Sequence, residues 1–242
     1  TAREQNSPEG QGQILIHDLR TGQTKPMIPG WQGASASPQW RRDDKVVAFT
    51  GYDLEPPVNR GQFHHVWVCD LETGAAHDVS ATLDQEVGNY AVADQRAGLV
   101  NVTVRWPDGR GPLYFLITEQ GATHLYTADE GGDCCLQVGG QNIVFAYSAD
   151  SAGTIAYGLS NPANPGELYV RTSGQAGRLT DLNPWLVHRR LSPPHEYWYP
   201  GLEGTPVHAW EIKPLGFEAD KRYPTVVQVH CSMFCWDFSL EF

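Results

Sequence analysis

Short runs in which apolar and polar residues alternate recur from Gln13 to about Asn183, and each run predicts a β-strand. Successive side chains of a strand point to opposite faces, so a half-buried strand alternates in this way. In each copy a first strand leads through a polar turn into a second strand, which ends in a glycine turn. The predicted strands are 13–19, 45–50, 65–71, 112–116, 124–127, 153–158 and 167–171.

The glycine turns repeat at a regular interval of about 43 to 57 residues, near positions 22, 74, 131 and 174. Several short strands at this period are typical of the blades of a β-propeller. Strand pairs at this spacing also build a β-sandwich, so both architectures stay open at this point. The turn Trp106-Pro107-Asp108-Gly109 and the Asp-rich turn at 41–44 favour the propeller, because propeller turns often carry Pro-Asp-Gly.

The pattern predicts about three full blades and a partial one at the start. A closed propeller has roughly four to eight blades, and an incomplete ring leaves strand edges open. We therefore expect further sequence on the N-terminal side. The tryptophans at 40, 67 and 106 are predicted to pack inside the blades.

The chain changes character after Asn183. Residues 185–190 have a helix-like mixture, Pro193-Pro194 breaks the chain, and strands are predicted at 195–199 and 207–212. Residues 225–230 are apolar and largely β-branched, which is typical of a strand buried on both faces of a sheet. We therefore predict a propeller part at 1–188 and the beginning of an α/β domain at 189–242, with Glu196, Tyr197 and Trp198 at the seam between them.

Composition narrows the range of partners. The 242 residues carry a formal net charge of −11, which disfavours binding to phosphate backbones and anionic lipid. No run of about 18 apolar residues is present. Five cysteines without regular spacing predict reduced thiols in a cytoplasmic protein, with no metal and no cofactor. His64 and His65 are adjacent at a strand start, so alternation sends their rings to opposite faces and does not form a paired metal site.

Five stretches near the end resemble one enzyme family. The segment 178–183 (RLTDLN) is similar to the last propeller strand of acylaminoacyl-peptidases and dipeptidyl peptidases of the S9, or prolyl oligopeptidase, class. The segment 201–210 resembles the hairpin of that class, and Lys213-Pro214 with Tyr223-Pro224 resembles the link that follows the hairpin. The run 227–230 resembles the strand that leads to the family's His-Gly-Gly-Pro loop, and 236–242 resembles the segment after this loop.

The resemblance implies a mainly β chain, in which a partial β-propeller of about three to four blades precedes the first strands of an α/β-hydrolase domain. It also implies a serine exopeptidase that acts on short or N-acylated peptides through an acyl-enzyme, with Ser, His and Asp in the usual roles. Short peptides would be the substrates, with no nucleic-acid or membrane partner, and a homo-oligomer stays open. A non-catalytic propeller binding module and a degenerate pseudoenzyme are the alternatives.

The chain departs from this family at the oxyanion loop. Where His-Gly-Gly-Pro is expected, the sequence has His230, Cys231, Ser232 and Met233. These glycines allow the tight turn that aims a backbone N–H at the oxyanion, so their replacement puts the oxyanion hole in doubt. His230, Cys231 and Ser232 are the candidate oxyanion-loop residues. No Gly-x-Ser-x-Gly motif occurs, and family order places all three catalytic residues beyond Phe242.

Overall fold

The computed structural model describes residues 2–6, 12–53, 63–91 and 103–227. These residues form strands and turns, with three short 3-10 helices and no α-helix among them. The strands group into four antiparallel units in chain order, which we call blades 1 to 4, and a separate hairpin. The prediction of a mainly β chain with a partial propeller is confirmed.

Blades 1 and 2 are separate sheets of three and four strands. The strands of blade 1 are β1 (Ala2–Asn6), β2 (Gly12–His17) and β3 (Thr24–Pro26). Those of blade 2 are β4 (Ala34–Trp40), β5 (Val46–Tyr52), β6 (His65–Asp70) and β7 (Ala76–Asp78). In each blade every strand pairs antiparallel with the next one along the chain.

Blades 3 and 4 have four strands each. The strands of blade 3 are β8 (Val104–Arg105), β9 (Leu113–Glu119), β10 (Ala122–Ala128) and β11 (Cys134–Val138). Those of blade 4 are β12 (Ile143–Ala149), β13 (Ile155–Asn161), β14 (Asn164–Thr172) and β15 (Gln175–Arg178). A single parallel pair, Thr123 with Ile143, joins the two blades into one continuous sheet.

The apolar core lies between the blades, and this explains the strand pattern. In β5, Val46 and Ala48 face blade 3, whereas Val47 and Phe49 face blade 1. In the same way β9 alternates between a cluster shared with blade 2 and a cluster shared with blade 4. A strand with both faces covered reads as a nearly continuous apolar run, as β5 and β9 do. Face-to-face packing of successive sheets distinguishes this stack from a two-sheet sandwich.

The glycine turns lie where the spacing predicts them. Gly22, Gly74, Gly132 and Gly174 all have positive φ, and each lies in the turn between the last two strands of its blade. The turns of the first three blades share an aspartate whose side chain accepts backbone N–H bonds: Asp18, Asp70 and Asp129. Such aspartate-backbone bonds fix a turn locally, which is why this feature is readable from sequence.

The aromatic predictions are confirmed for the blades. Trp106 is 5% exposed in the cluster between blades 2 and 3. Trp40 and Trp67 pack against the cluster between blades 1 and 2, where Trp67 lies edge-on to Trp31 with 5.0 Å between ring centroids. Trp31 was not singled out from the sequence.

Beyond the blades, the chain forms a 3-10 helix at Pro184–His188 and then the hairpin. Its strands are β16 (His195–Pro200) and β17 (Pro206–Glu211), at the two predicted positions. The predicted strand at 225–230 is wrong for its first three residues, since residues 225–227 form no strand and Val226 is 94% exposed. No strand of the described chain pairs with them, and a strand requires a neighbour. The remaining residues, 228–230, lie outside the described ranges.

Candidate functional site

The candidate oxyanion-loop residues His230, Cys231 and Ser232 lie outside the residues that the structure describes. What the structure does show is the junction that leads toward them, where the chain leaves blade 4 and enters the hairpin. Two polar groups organise this junction. The first surrounds Glu167 and the second surrounds His208.

Glu167 is a buried carboxylate that collects hydrogen bonds from the segment leaving the propeller. Its side chain is 1% exposed. Thr180 donates its hydroxyl to Oε2 over 2.6 Å, and the backbone N–H of Leu182 donates to Oε1 over 2.9 Å. The Arg178 guanidinium lies 3.0 Å from Oε1, and Asn183 donates from its backbone and its side chain over 3.3 Å. We call this set of five residues the Glu167 hub.

The electrostatics of the hub favour an ionised carboxylate. Burial of Glu167 raises its pKa. The hydrogen bonds from Thr180, Leu182 and Asn183 and the charge of Arg178 lower the pKa by more than burial raises it, so the pKa falls to about 2. Donors and a nearby cation stabilise the charged form, and here they outweigh desolvation. The carboxylate is therefore ionised at neutral pH and holds the exit segment against blade 4.

Local sequence explains why the segment fits. Gly166 precedes Glu167 with φ of 150°, a conformation open to glycine. The Asn183 side chain donates to the Gly166 carbonyl over 2.9 Å and to the Asn164 side chain over 3.3 Å. Thus the start of β14 and the residue before the 3-10 helix hold each other. Beside them lies an open groove of about 420 Å³, lined by Phe145, Pro165, Gly166, Glu167, Leu168, Leu182, Asn183 and Trp185.

His208 is the centre of the second group, in the hairpin. Its ring stacks on Trp198 with 4.3 Å between centroids and lies 3.9 Å from the Trp210 ring. His208 Nε2 is 2.8 Å from Glu196 Oε1, and only 9% of the side chain is exposed. Gln141, in the connection between blades 3 and 4, donates to Glu196 Oε2 over 2.9 Å. Glu196 thus contacts the propeller, while Tyr197 and Trp198 remain about half exposed.

Other histidine–carboxylate pairs in the described chain do not form a catalytic triad. His65 Nδ1 lies 2.7 Å from Asp78 Oδ2, and the Ser80 hydroxyl donates to Asp78 Oδ1 over 3.1 Å. The aspartate is therefore in the middle, whereas nucleophilic catalysis needs the histidine between serine and acid. His64 pairs instead with Glu86 over 2.9 Å, so the adjacent histidines have different partners. Within the described ranges, no three His, Cys, Asp or Glu side chains are placed to hold a metal ion.

Two relatives of the chain are peptidases by name, and both are similar to it at low sequence identity. No family model matches the chain. It is 27% identical over 168 residues to a Bacillus subtilis protein named uncharacterized peptidase YuxL, covering 68% of this chain and 25% of that protein. It is 23% identical over 234 residues to dipeptidyl-peptidase 5 of Schizosaccharomyces pombe, covering 93% and 31%. The resemblance to S9-type peptidases is confirmed at this low identity.

Solved structures agree on the fold. A Pyrococcus horikoshii acylaminoacyl peptidase matches with a TM-score of 0.64 at 17% identity, over 88% of this chain and 30% of that one. The β-propeller domain of a Pyrococcus furiosus trilobed protease matches with a TM-score of 0.52 at 17% identity, over 75% and 51%. The peptidase-like chain thus spans between a quarter and a third of the two sequence relatives, which are 25% and 31% covered.

The segment 178–183, which carries part of the resemblance, is the segment that binds Glu167 in the hub. The buried partner of that segment, Glu167, was not predicted from the sequence. A glutamate between apolar strand residues, followed by Arg, Thr and Asn at short distance, is a signal that could have found it. No helix in the described ranges is long and apolar enough to cross a membrane.

Proposed function

We propose that this chain is the propeller side and the first hydrolase strands of a serine exopeptidase of the prolyl oligopeptidase class. In this proposal the boundary lies near residue 189, and the parent protein acts on short or N-acylated peptides through an acyl-enzyme. The serine, aspartate and histidine of the triad belong to sequence after Phe242. The relatives named peptidase and dipeptidyl-peptidase support the proposal, and each is covered only in part.

One observation carries the two-domain part of the proposal. Among the residues that the structure describes, eighteen large hydrophobic side chains are exposed, and fourteen of them lie in the 49 residues from 179 to 227. The blades bury most of their apolar residues, whereas Trp185, Trp198, Phe217 and Val227 remain open to solvent. Exposed apolar surface on this scale marks an interaction face. A hydrolase domain built on the hairpin would cover it.

The chemistry proposed for the parent is acyl transfer. A serine attacks the scissile carbonyl, a histidine accepts the serine proton and delivers it to the leaving amine, and an aspartate orients the histidine. Backbone N–H groups stabilise the oxyanion, and His230, Cys231 and Ser232 are the candidates for one side of that hole. Short peptides are the proposed substrates. The location is proposed to be cytoplasmic, in keeping with the free Cys69, Cys134 and Cys135.

Active-site labelling tests the proposal. A fluorophosphonate probe should label the product of the whole gene at one serine after residue 242, and should leave the 242-residue chain unlabelled. Hydrolysis of an N-acetylated amino-acid anilide and of a dipeptidyl anilide then assigns the exopeptidase type. Labelling of Ser232 in the 242-residue chain would refute the placement of the nucleophile. Absence of labelling in the whole product would favour the binding module or the pseudoenzyme.

A further inference from the structure

The contact between Gln141 and Glu196 joins the propeller to the hairpin, from an exposed side chain on a fixed backbone to a glutamate that His208 holds. We propose that this contact is a charge-sensitive latch, in which the side chain at position 141 sets how firmly the hairpin docks on the propeller. The hydrogen bond from Gln141 Nε2 to Glu196 Oε2 is 2.9 Å long. It links the connection between blades 3 and 4 to the first strand of the hairpin.

The propeller end of the latch is preorganised. Gly140 has φ of 103°, and its carbonyl receives the Asn142 N–H over 2.8 Å and lies 3.0 Å from His124 Nε2. The Asn142 side chain donates to the Gly139 carbonyl over 2.8 Å, and the Asn142 carbonyl accepts the Thr123 N–H over 3.0 Å. The backbone on both sides of position 141 is therefore fixed. A substitution there acts through its side chain.

The hairpin end is also preorganised. Glu196 Oε1 is engaged by His208, which lies between Trp198 and Trp210, so Oε2 is directed to the propeller. The fixed Glu196 side chain loses little conformational entropy when it meets Gln141, so even an exposed contact contributes to docking. The Glu196 carboxylate contacts the Gln141 amide through Oε2 and the His208 imidazole through Oε1. Its carboxylate would therefore respond to the sign of any charge placed at position 141.

The polar contact is important because no buried apolar cluster of the described chain joins the hairpin to the propeller. The four buried apolar clusters of the described chain contain no hairpin residue. Docking through a small number of exposed polar side chains is easily shifted, because each such contact contributes little to stability. If the proposed function holds, this docking also bears on the space between propeller and hydrolase domain.

Amide hydrogen exchange on the 242-residue chain tests the latch without any activity assay, so its outcome is independent of the proposed function. Gln141→Glu places two carboxylates together, and exchange in β16 and β17 should become about two- to five-fold faster. Gln141→Lys replaces the hydrogen bond by an ion pair, and exchange there should stay equal or become slower. Exchange in the blades should not change in either variant.

Gln175→Glu is the matched control, because Gln175 is an exposed glutamine in β15 and the substitution adds the same charge. It should leave the hairpin unchanged. Equal effects of Glu and Lys at position 141, no effect of either, or an equal effect of Gln175→Glu would overturn the latch. Near-ultraviolet circular dichroism of each variant establishes that the propeller has folded.

Discussion

Replacement of Glu167 by glutamine should destabilise the protein in a pH-dependent way. The carboxylate accepts hydrogen bonds from Thr180, Leu182 and Asn183 and contacts Arg178. An amide keeps one acceptor but turns a donor toward this set of donors. The folded pKa of Glu167 is about 2, below its ordinary value of 4.5. Ionised Glu167 therefore stabilises the fold, fully above about pH 4.5, and this stabilisation is lost as the pH falls toward about 2.

The size of the effect follows from the pKa difference. One pKa unit corresponds to about 1.4 kcal/mol, so the shift sets an upper bound of about 3.4 kcal/mol at neutral pH. The groove beside Glu167 is open to water, and solvent screening reduces this value. We expect Glu167→Gln to lower the free energy of unfolding by about 1 to 2 kcal/mol near neutral pH.

Urea denaturation followed by tryptophan fluorescence, from about pH 7 to about pH 2.5, measures this difference. The gap between wild type and Glu167→Gln should shrink below about pH 4.5, because a protonated carboxyl, like an amide, presents one donor to the hub. Glu72→Gln, in the exposed turn between β6 and β7, is the control and should show little gap at any pH. A Glu167→Gln gap that stays constant down to about pH 2.5 would refute the assignment of an ionised, hydrogen-bonded carboxylate.

Two further substitutions and one chemical modification test the blade packing. Gly109→Ala should lower the urea midpoint, at a cost of about 1 to 3 kcal/mol, because φ is +60° and a Cβ would lie 2.4 Å from the Arg42 nitrogen. Tyr147→Phe removes a 2.8 Å hydrogen bond to a backbone carbonyl of blade 3, and should cost about 1 to 2 kcal/mol in the same assay. A disulfide reagent near pH 8 should modify exposed Cys135 quickly and Cys69 only after denaturation, since burial raises the pKa of Cys69 to about 11. Rapid loss of the Cys69 thiol in the native protein would contradict the packing of blades 1 and 2.

Local patterns in the sequence predict most of the blade structure. Alternation and glycine turns depend on neighbouring residues, so β2, β6, β10 and β14 with their following turns are readable directly. The outer strands β3, β7, β11 and β15 are short and largely exposed, so they carry little apolar signal and were not identified individually. The first strand of each blade was also missed: β1, β4, β8 and β12.

Features that depend on distant residues escaped the sequence analysis. The parallel pair between Thr123 and Ile143 requires two blades to be placed first. Glu167 reads as an ordinary polar strand residue until the segment 178–183 folds over it. The strand predicted at 225–230 is wrong over 225–227, because an apolar run forms a strand only where a neighbouring strand pairs with it. The described chain provides no such neighbour.

The two polar groups at the junction differ in strength. The Glu167 hub binds the exit segment to blade 4 through a buried, ionised carboxylate, which is costly to break because its donors and Arg178 would lose their acceptor. The contact of Gln141 with Glu196 is partly exposed and bears no charge on the propeller side, so it is weak by comparison. The chain should therefore open first between propeller and hairpin and last at the exit segment. This order places a firm anchor next to a movable element, with the exposed apolar side chains of 197–227 on the movable side.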